Sequence, residues 1–218
     1  MVRILISILL LSHYCGINVL AQELEIILLE NNDLLPLGGL DTLTIEYEDA
    51  FLEEMGERYS ENTGQKLINI NSVADDETPP LYGDILIVYG DSINIASLRA
   101  LDYQAIIYTN KKDSLAMDLI TQKIFGARPF NRIADRMIYD YEIGSGHITS
   151  GGLRLGFGQP LEVGLDSAYL FNKIDSIAIT AIDSGVAPGI QVLIAKDGIV
   201  VLHNTYGYQT YDSLLEVK

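Results

Sequence analysis

Hydrophobic and polar positions along the chain follow two rhythms, continuous apolar runs and helical spacings, and their alternation predicts an α/β protein. Within Asp84 to Tyr89, Ile85-Leu86-Ile87-Val88 is an unbroken apolar run closed by Gly90-Asp91, as expected of a strand buried on both faces of a parallel sheet. Ala105 to Tyr108 is a second such run, Leu43 to Tyr47 alternates as a strand does, and Leu67 to Ile70 is a short strand. Leu24 to Leu29 has strand or helix-end character. It leads into Asn31-Asn32-Asp33 and Leu34-Leu35-Pro36-Leu37, where the Asn/Asp cluster and Pro36 mark a turn. Helical spacing places Phe51, Leu52, Met55 and Tyr59 on one face of Ala50 to Tyr59, with Gly64 as a stop. It also predicts a short helix over Ile93 to Leu101, and one over Asp113 to Phe125 with Leu115, Leu119, Ile120 and Ile124 as its apolar face. Strands alternating with helices imply an α/β sandwich around a parallel sheet.

The rhythm changes further on. From Ile138 to Gly164 the chain is rich in Gly and Tyr and reads as an irregular linker with at most one short strand. Beyond it, Leu170 to Ile182 has apolar spacing and is followed by Ser184-Gly185 and Pro188-Gly189. A strand, a tight Lys196-Asp197-Gly198 turn and a second strand come next, making a hairpin over Ile190 to Tyr206. The expected organisation is therefore 1–21 leader, 22–137 α/β domain, 138–164 linker, and 165–218 a helix-plus-hairpin unit.

Composition narrows the partners. Hydrophobic residues make up 48% of 218 residues, enough for a core. Asp+Glu 30 against Lys+Arg 14 give a net charge of -16, which repels phosphate backbones and argues against nucleic acid. The plain meaning of that acidity is a solvated surface. Arg3, the apolar Ile4 to Leu11 and Val19-Leu20-Ala21 before Gln22 read as a secretory signal peptide. The apolar stretch falls short of the about 20 residues that a spanning helix needs, so no stable membrane span is expected after cleavage. The location expected is periplasmic or extracellular. Cys15, the only cysteine, lies in the leader, which leaves a mature chain without disulfides.

The tail, Leu165 to Lys218, with its helix and hairpin, resembles the N-terminal start of the beta-lactamase and transpeptidase-like serine hydrolases. In that family a Ser-x-x-Lys motif follows shortly after the hairpin, because the serine hydroxyl needs a nearby base. No Ser is followed three residues later by Lys in this sequence. Thr210-Tyr211-Asp212 and Val217 are similar to the residues just before the motif. Tyr208 and Tyr211 are accordingly read as hairpin packing, and not as the family's proton-accepting tyrosine.

A second resemblance covers Leu24 to Asp135. Ile26-Ile27-Leu28-Leu29-Glu30-Asn31, then Leu34-Leu35-Pro36-Leu37, is similar to the start of the C-terminal domain of glycoside hydrolase family 3, where a Leu-x-Asn helix end leads into a Leu-Pro-Leu turn. Ala116 to Ala127, closing on Ile124-Phe125-Gly126-Ala127, looks like that domain's late helix, with Gly126 well placed as a C-cap. Arg154-Leu155 and Pro160 to Asp166 follow in the family's order. Exported bacterial proteins join these two families directly, and the resemblance implies a parent activity of removing terminal N-acetylglucosamine. It also implies an N-acetylglucosamine-containing glycan or peptidoglycan fragment as partner.

Neither chemistry is carried over. The family 3 nucleophile lies in a barrel of about 250 residues, for which this chain has no room. Asp75-Asp76-Glu77 and Glu53-Glu54 supply carboxylates, but adjacent acids on a loop or helix are ordinarily surface charge. His147 and His203 lack a partner at metal-ligand spacing, and Gly144-Ser145-Gly146 lacks both a nucleophile-elbow frame and a phosphate-loop ending. No catalytic, cofactor-binding or metal residue is assigned. The expectation is a fragment or truncated product of an exported glycosidase fused to a serine hydrolase, without catalytic residues of its own. The alternative is a non-catalytic periplasmic module that binds glycan or docks a separate catalytic domain.

Overall fold

A computed structural model describes residues 23–62, 64–74, 77–90, 96–212 and 214–217; the signal peptide expected over 1–21 lies outside them. Among the described residues the chain is mixed α/β, with two sheets. The first has the order β1-β5-β4-β3-β2, from β1 (Ile26–Asn31), β2 (Leu43–Tyr47), β3 (Lys66–Ala74), β4 (Tyr82–Tyr89) and β5 (Asp102–Thr109). β2 through β5 run parallel, as the apolar runs predict, while β1 joins the edge antiparallel to β5 with a bulge between Leu28 and Glu30.

Burial on both faces explains the unbroken apolar sequence of β4, whose Ile85, Leu86, Ile87 and Val88 are each 0% exposed. One face packs on helix α1 (Ala50–Gly56) and helix α2 (Ser114–Ile124), with Leu35, Leu37 and Phe125 completing the layer. Both helices start on a carboxylate that accepts backbone N–H groups. Asp49 receives Phe51 and Leu52, and Asp113 receives Ala116. The side chains thus satisfy donors that a helix start leaves orphaned.

Among the described residues the opposite face is covered by a turn and irregular chain. Leu98 and Leu101, from a turn, and Ala134, Ile138 and Tyr141, from irregular chain, close over Val73, Leu86, Val88 and Ile106. The helix expected over Ile93 to Leu101 is therefore not formed in its described part, 96–101. Its i, i+3 pair, Leu98 and Leu101, is buried from a turn instead. Asp140 holds that turn, accepting from the Ser97 hydroxyl at 2.5 Å and the backbone N–H of Leu98 at 2.9 Å and Arg99 at 3.3 Å. Partial burial raises the Asp140 carboxyl, but these donors outweigh it and hold it below its ordinary 3.8. The folded state then binds fewer protons than the unfolded chain. The stabilisation is full above the ordinary value and is lost as pH falls through the lower folded value. Asp140→Asn is expected to cost about 1 kcal/mol at neutral pH. Thermal melts at stepped pH should show the gap from the unsubstituted chain closing below pH 3.8; a gap unchanged in acid would show that the charge is not involved.

Two further expectations need correction. α1 ends at Gly56, not near Gly64; Gly64 instead sits against the backbone of Thr42 and Leu43, where a Cβ would lie 2.0 Å from a carbonyl carbon. The buried face of α2 comprises Ala116, Met117, Ile120, Thr121, Gln122 and Ile124, while Leu115 is 59% exposed. Gly126 does cap this helix with φ 71, a left-handed conformation that glycine adopts without a Cβ penalty.

The second sheet has the order β6-β8-β7. β7 (Gly189–Lys196) and β8 (Ile199–Gly207) form the hairpin, and β6 (Gly156–Phe157) pairs parallel with β8. The hairpin turn carries Asp197 at φ 52 and Gly198 at φ 80, the doubly positive pattern that matches strand twist in a two-residue loop. Helix α3 (Ser167–Asp183), capped by Asp166, packs on the hairpin, but Ala178 is its only buried residue. Tyr206 reaches across to it, donating its hydroxyl to Asp175 at 2.6 Å. Tyr211, expected in hairpin packing, is 67% exposed and donates to the Gly185 carbonyl.

Candidate functional site

Open parallel sheets present ligands with the carboxyl ends of their strands, and a cleft of about 460 Å³ lies there. Glu48 and Asp49 enter it from the end of β2, Ser72 and Val73 from β3, and Lys112 from the chain after β5, with Glu77 and Pro79-Pro80 as the far wall. Backbone donors fix two of the carboxylates. Glu48 Oε2 accepts from Ser72 N at 3.0 Å and Glu77 Oε2 from Ala74 N at 2.9 Å, leaving the other oxygen of each to face ligand or water. Lys112 Nζ stands 5.2 Å from the centre of the Tyr89 ring. The Tyr89 hydroxyl is buried without a hydrogen-bond partner among the described residues. Burial, aided by Asp49, pushes it well above the ordinary tyrosine range.

Of the histidines and paired acids singled out in the sequence, Glu77 is the one among the described residues that lines this cleft. Glu53 and Glu54 are exposed on α1, and Asp75 and Asp76 lie outside the described residues. His147 serves the fold through its backbone N–H, which donates to Leu28 O. His203 lies on β8 and shares a 2.9 Å hydrogen bond with Gln191. Among the described residues no group of three His, Cys, Asp or Glu could hold a metal, and no helix is long and apolar enough to cross a membrane. Glu48, Asp49 and Lys112 escaped the sequence reading although each lies within three residues of a strand's carboxyl end, which was the signal available.

A second constellation joins the two sheets. Gln122, fully buried on α2, uses both ends of its amide. Nε2 donates to Asp118 Oδ2 and Phe157 O, each at 2.9 Å, while Oε1 accepts from Phe157 N at 2.9 Å and Arg128 Nε at 2.8 Å. The amide thus extends the ladder of β6 onto α2. Arg128 also donates Nη2 to Phe157 O at 3.0 Å and to Glu162 at 2.8 Å. Burial raises the Glu162 carboxyl, but the Gln159 N–H and Arg128 overcome this and hold it below the ordinary range. Tyr59 stacks on Phe125 at 4.9 Å and meets Phe157 edge-on at 5.9 Å.

Comparison of the chain with protein-family models, curated proteins and solved structures finds no match. Apart from the cleft, the best-defined polar arrangement among the described residues is the clamp that fixes one sheet against the other.

Proposed function

We propose that the chain is a junction segment of an exported hydrolase. In this reading it couples a domain of the family 3 glycoside hydrolase C-terminal type to the start of a beta-lactamase-like serine hydrolase domain, without catalytic residues of its own. The observation that carries it is the meeting of three segments on which the family resemblance rests. Leu37 N, in the Leu-Pro-Leu turn, donates to Ile124 O at 2.8 Å. Arg154 Nη1 donates to Leu37 O at 2.9 Å and Phe125 O at 2.5 Å. A Cβ on Gly126 would approach Pro36 Cβ at 3.0 Å. These contacts support reading the three segments as one packed unit.

The tail supports the second half of the reading. Ile177 is 57% exposed, Val186 75%, Leu193 53% and Leu214 79%, so α3, the hairpin and the chain flanking them carry apolar surface of the kind that further protein normally covers. The strands and helix of a larger hydrolase domain would supply that cover. The reading frame beyond the codon for Lys218 is expected to contain Ser-x-x-Lys within about twenty residues; a stop codon directly there sinks the serine hydrolase half. The present chain, purified free of host enzymes, is expected to leave a chromogenic N-acetylglucosaminide uncleaved. Turnover that survives repurification would sink the non-catalytic reading.

A glycan partner belongs to the same proposal through the carboxyl-edge cleft. The free oxygens of Glu48 and Glu77 accept from sugar hydroxyls, and Lys112 donates to them. Titration calorimetry with chitooligosaccharides and peptidoglycan fragments is expected to give saturable heat. A flat trace removes the glycan from the proposal and leaves the junction standing.

A further inference from the structure

At the amino edge of the five-stranded sheet, opposite the carboxyl-edge cleft, a pocket of about 290 Å³ lies between the end of β1, the start of β5 and the irregular chain that covers this face. A break in strand rhythm supplies its carboxylate. Successive side chains of a strand point to opposite faces, and in β1 Ile26 and Leu28 join the helix-covered core while Ile27 and Leu29 join the other. Glu30 is due next on the helix-covered face. The bulge between Leu28 and Glu30 instead pairs it with Ile106, a residue of the opposite face; bulges beside active sites re-aim side chains in this way. There Glu30 Oε2 accepts from the Tyr141 hydroxyl at 3.2 Å, and Oε1 has no partner among the described residues.

Arg99 reaches the same pocket from the turn that Asp140 anchors. Its guanidinium lies 4.5 Å from the centre of the Tyr141 ring, an attraction of cation to π-face. Of its five donors only that on Nε is taken among the described residues, by Asp140 O at 3.3 Å. The Asp140 carboxylate is itself occupied by Ser97 and by backbone N–H groups. Tyr141 thus holds a carboxylate by its hydroxyl and a guanidinium by its ring, and among the described residues neither charge forms an ion pair. Asp102 adds a second acid to the lining, and Leu101 and Ile106 are its buried apolar part. An anion alone is repelled here by Glu30 and Asp102, and a cation alone is repelled by Arg99. A molecule carrying both charges answers both with charge-assisted hydrogen bonds. We propose that this pocket binds a small zwitterion of the α-amino acid class, its ammonium on Glu30 Oε1 and its carboxylate on Nη1 and Nη2 of Arg99.

The test titrates the full chain with L-alanine and, separately, with N-acetyl-L-alanine, which lacks the ammonium, and L-alaninamide, which lacks the carboxylate, following amide NMR shifts. L-alanine is expected to saturate with millimolar or tighter affinity, as suits a ligand of this size, and each capped form to bind on the order of tenfold more weakly. Glu30→Gln keeps an acceptor for the Tyr141 hydroxyl, so the fold should persist; affinity for L-alanine should drop several-fold while the weak binding of N-acetyl-L-alanine does not fall. Arg99→Gln should weaken L-alanine and leave L-alaninamide no weaker, a crossed pattern that general loosening of the fold would not produce. L-alaninamide binding as tightly as L-alanine would reduce the pocket to a cation site and overturn the proposal. Equal affinity for N-acetyl-L-alanine, an unchanged affinity in Glu30→Gln, or no saturable shift with a folded chain would each overturn it as well.

Discussion

Gln122→Leu is expected to destabilise the chain by about 3 kcal/mol, although leucine matches glutamine closely in size. The side chain is 0% exposed, and replacing its amide leaves Phe157 N and Arg128 Nε without their acceptor. Each buried group so orphaned costs about 1–3 kcal/mol. Asp118 and Phe157 O suffer less, since Arg58 and Arg128 Nη2 still reach them. Urea titration followed at both far-UV and tyrosine signals would measure the loss. The two signals should also separate, because the clamp is what makes the second sheet unfold with the first. A cost below about 1 kcal/mol would show that solvent replaces the lost bonds and that the clamp is no more than an ordinary surface contact. Gln122→Glu keeps the acceptor but faces Asp118 with a like charge, and is expected to fall between the two.

Phe125→Ala should cost about 4 kcal/mol, at the upper end of core truncations. Phe125 is 0% exposed and stacks on Tyr59 with ring planes 15° apart. Its loss would open a void in the layer it shares with Leu35 and Leu37. Against a total stability of about 5–15 kcal/mol typical of such chains, that is a large share. Phe125→Leu refills most of the volume and should cost about 1.5 kcal/mol or less. If alanine were tolerated as well as leucine by calorimetric melting, the layer between α2 and the sheet would have to be loosely packed.

These two positions also show how far the sequence can be read. The apolar run Ile85 to Val88 announces a strand covered on both faces, and the helical spacing around Ile120 and Ile124 announces α2. What the spacing could not announce is the rotation of that helix. Leu115 turns outward and Gln122 inward because β6 offers Phe157 N and O as hydrogen-bond partners, and a pattern of apolar positions counts every glutamine as surface. The turn holding Leu98 and Leu101 was legible only as apolar spacing, since its anchor, Asp140, lies some forty residues away in the chain. The cleft at the carboxyl edge is assembled from the ends of separate strands in the same manner. No local motif marks Glu48, Ser72 and Lys112 as neighbours before the sheet order is known.

The sparse burial of α3 has a consequence for motion. A helix of 17 residues with one buried side chain gains little from tertiary contact, so its amides should open far more readily than those of β4 and β5. Exchange with deuterated water would then sort the chain into two tiers. The five-stranded sheet would exchange only through global unfolding, while α3 and the outer strand β7 would exchange through cheap local opening. Limited proteolysis should cut first within the fast tier, leaving the β4 and β5 region intact. A binding event that covers the apolar flank of α3 would announce itself as a slowing of those same amides, without any change in the slow tier.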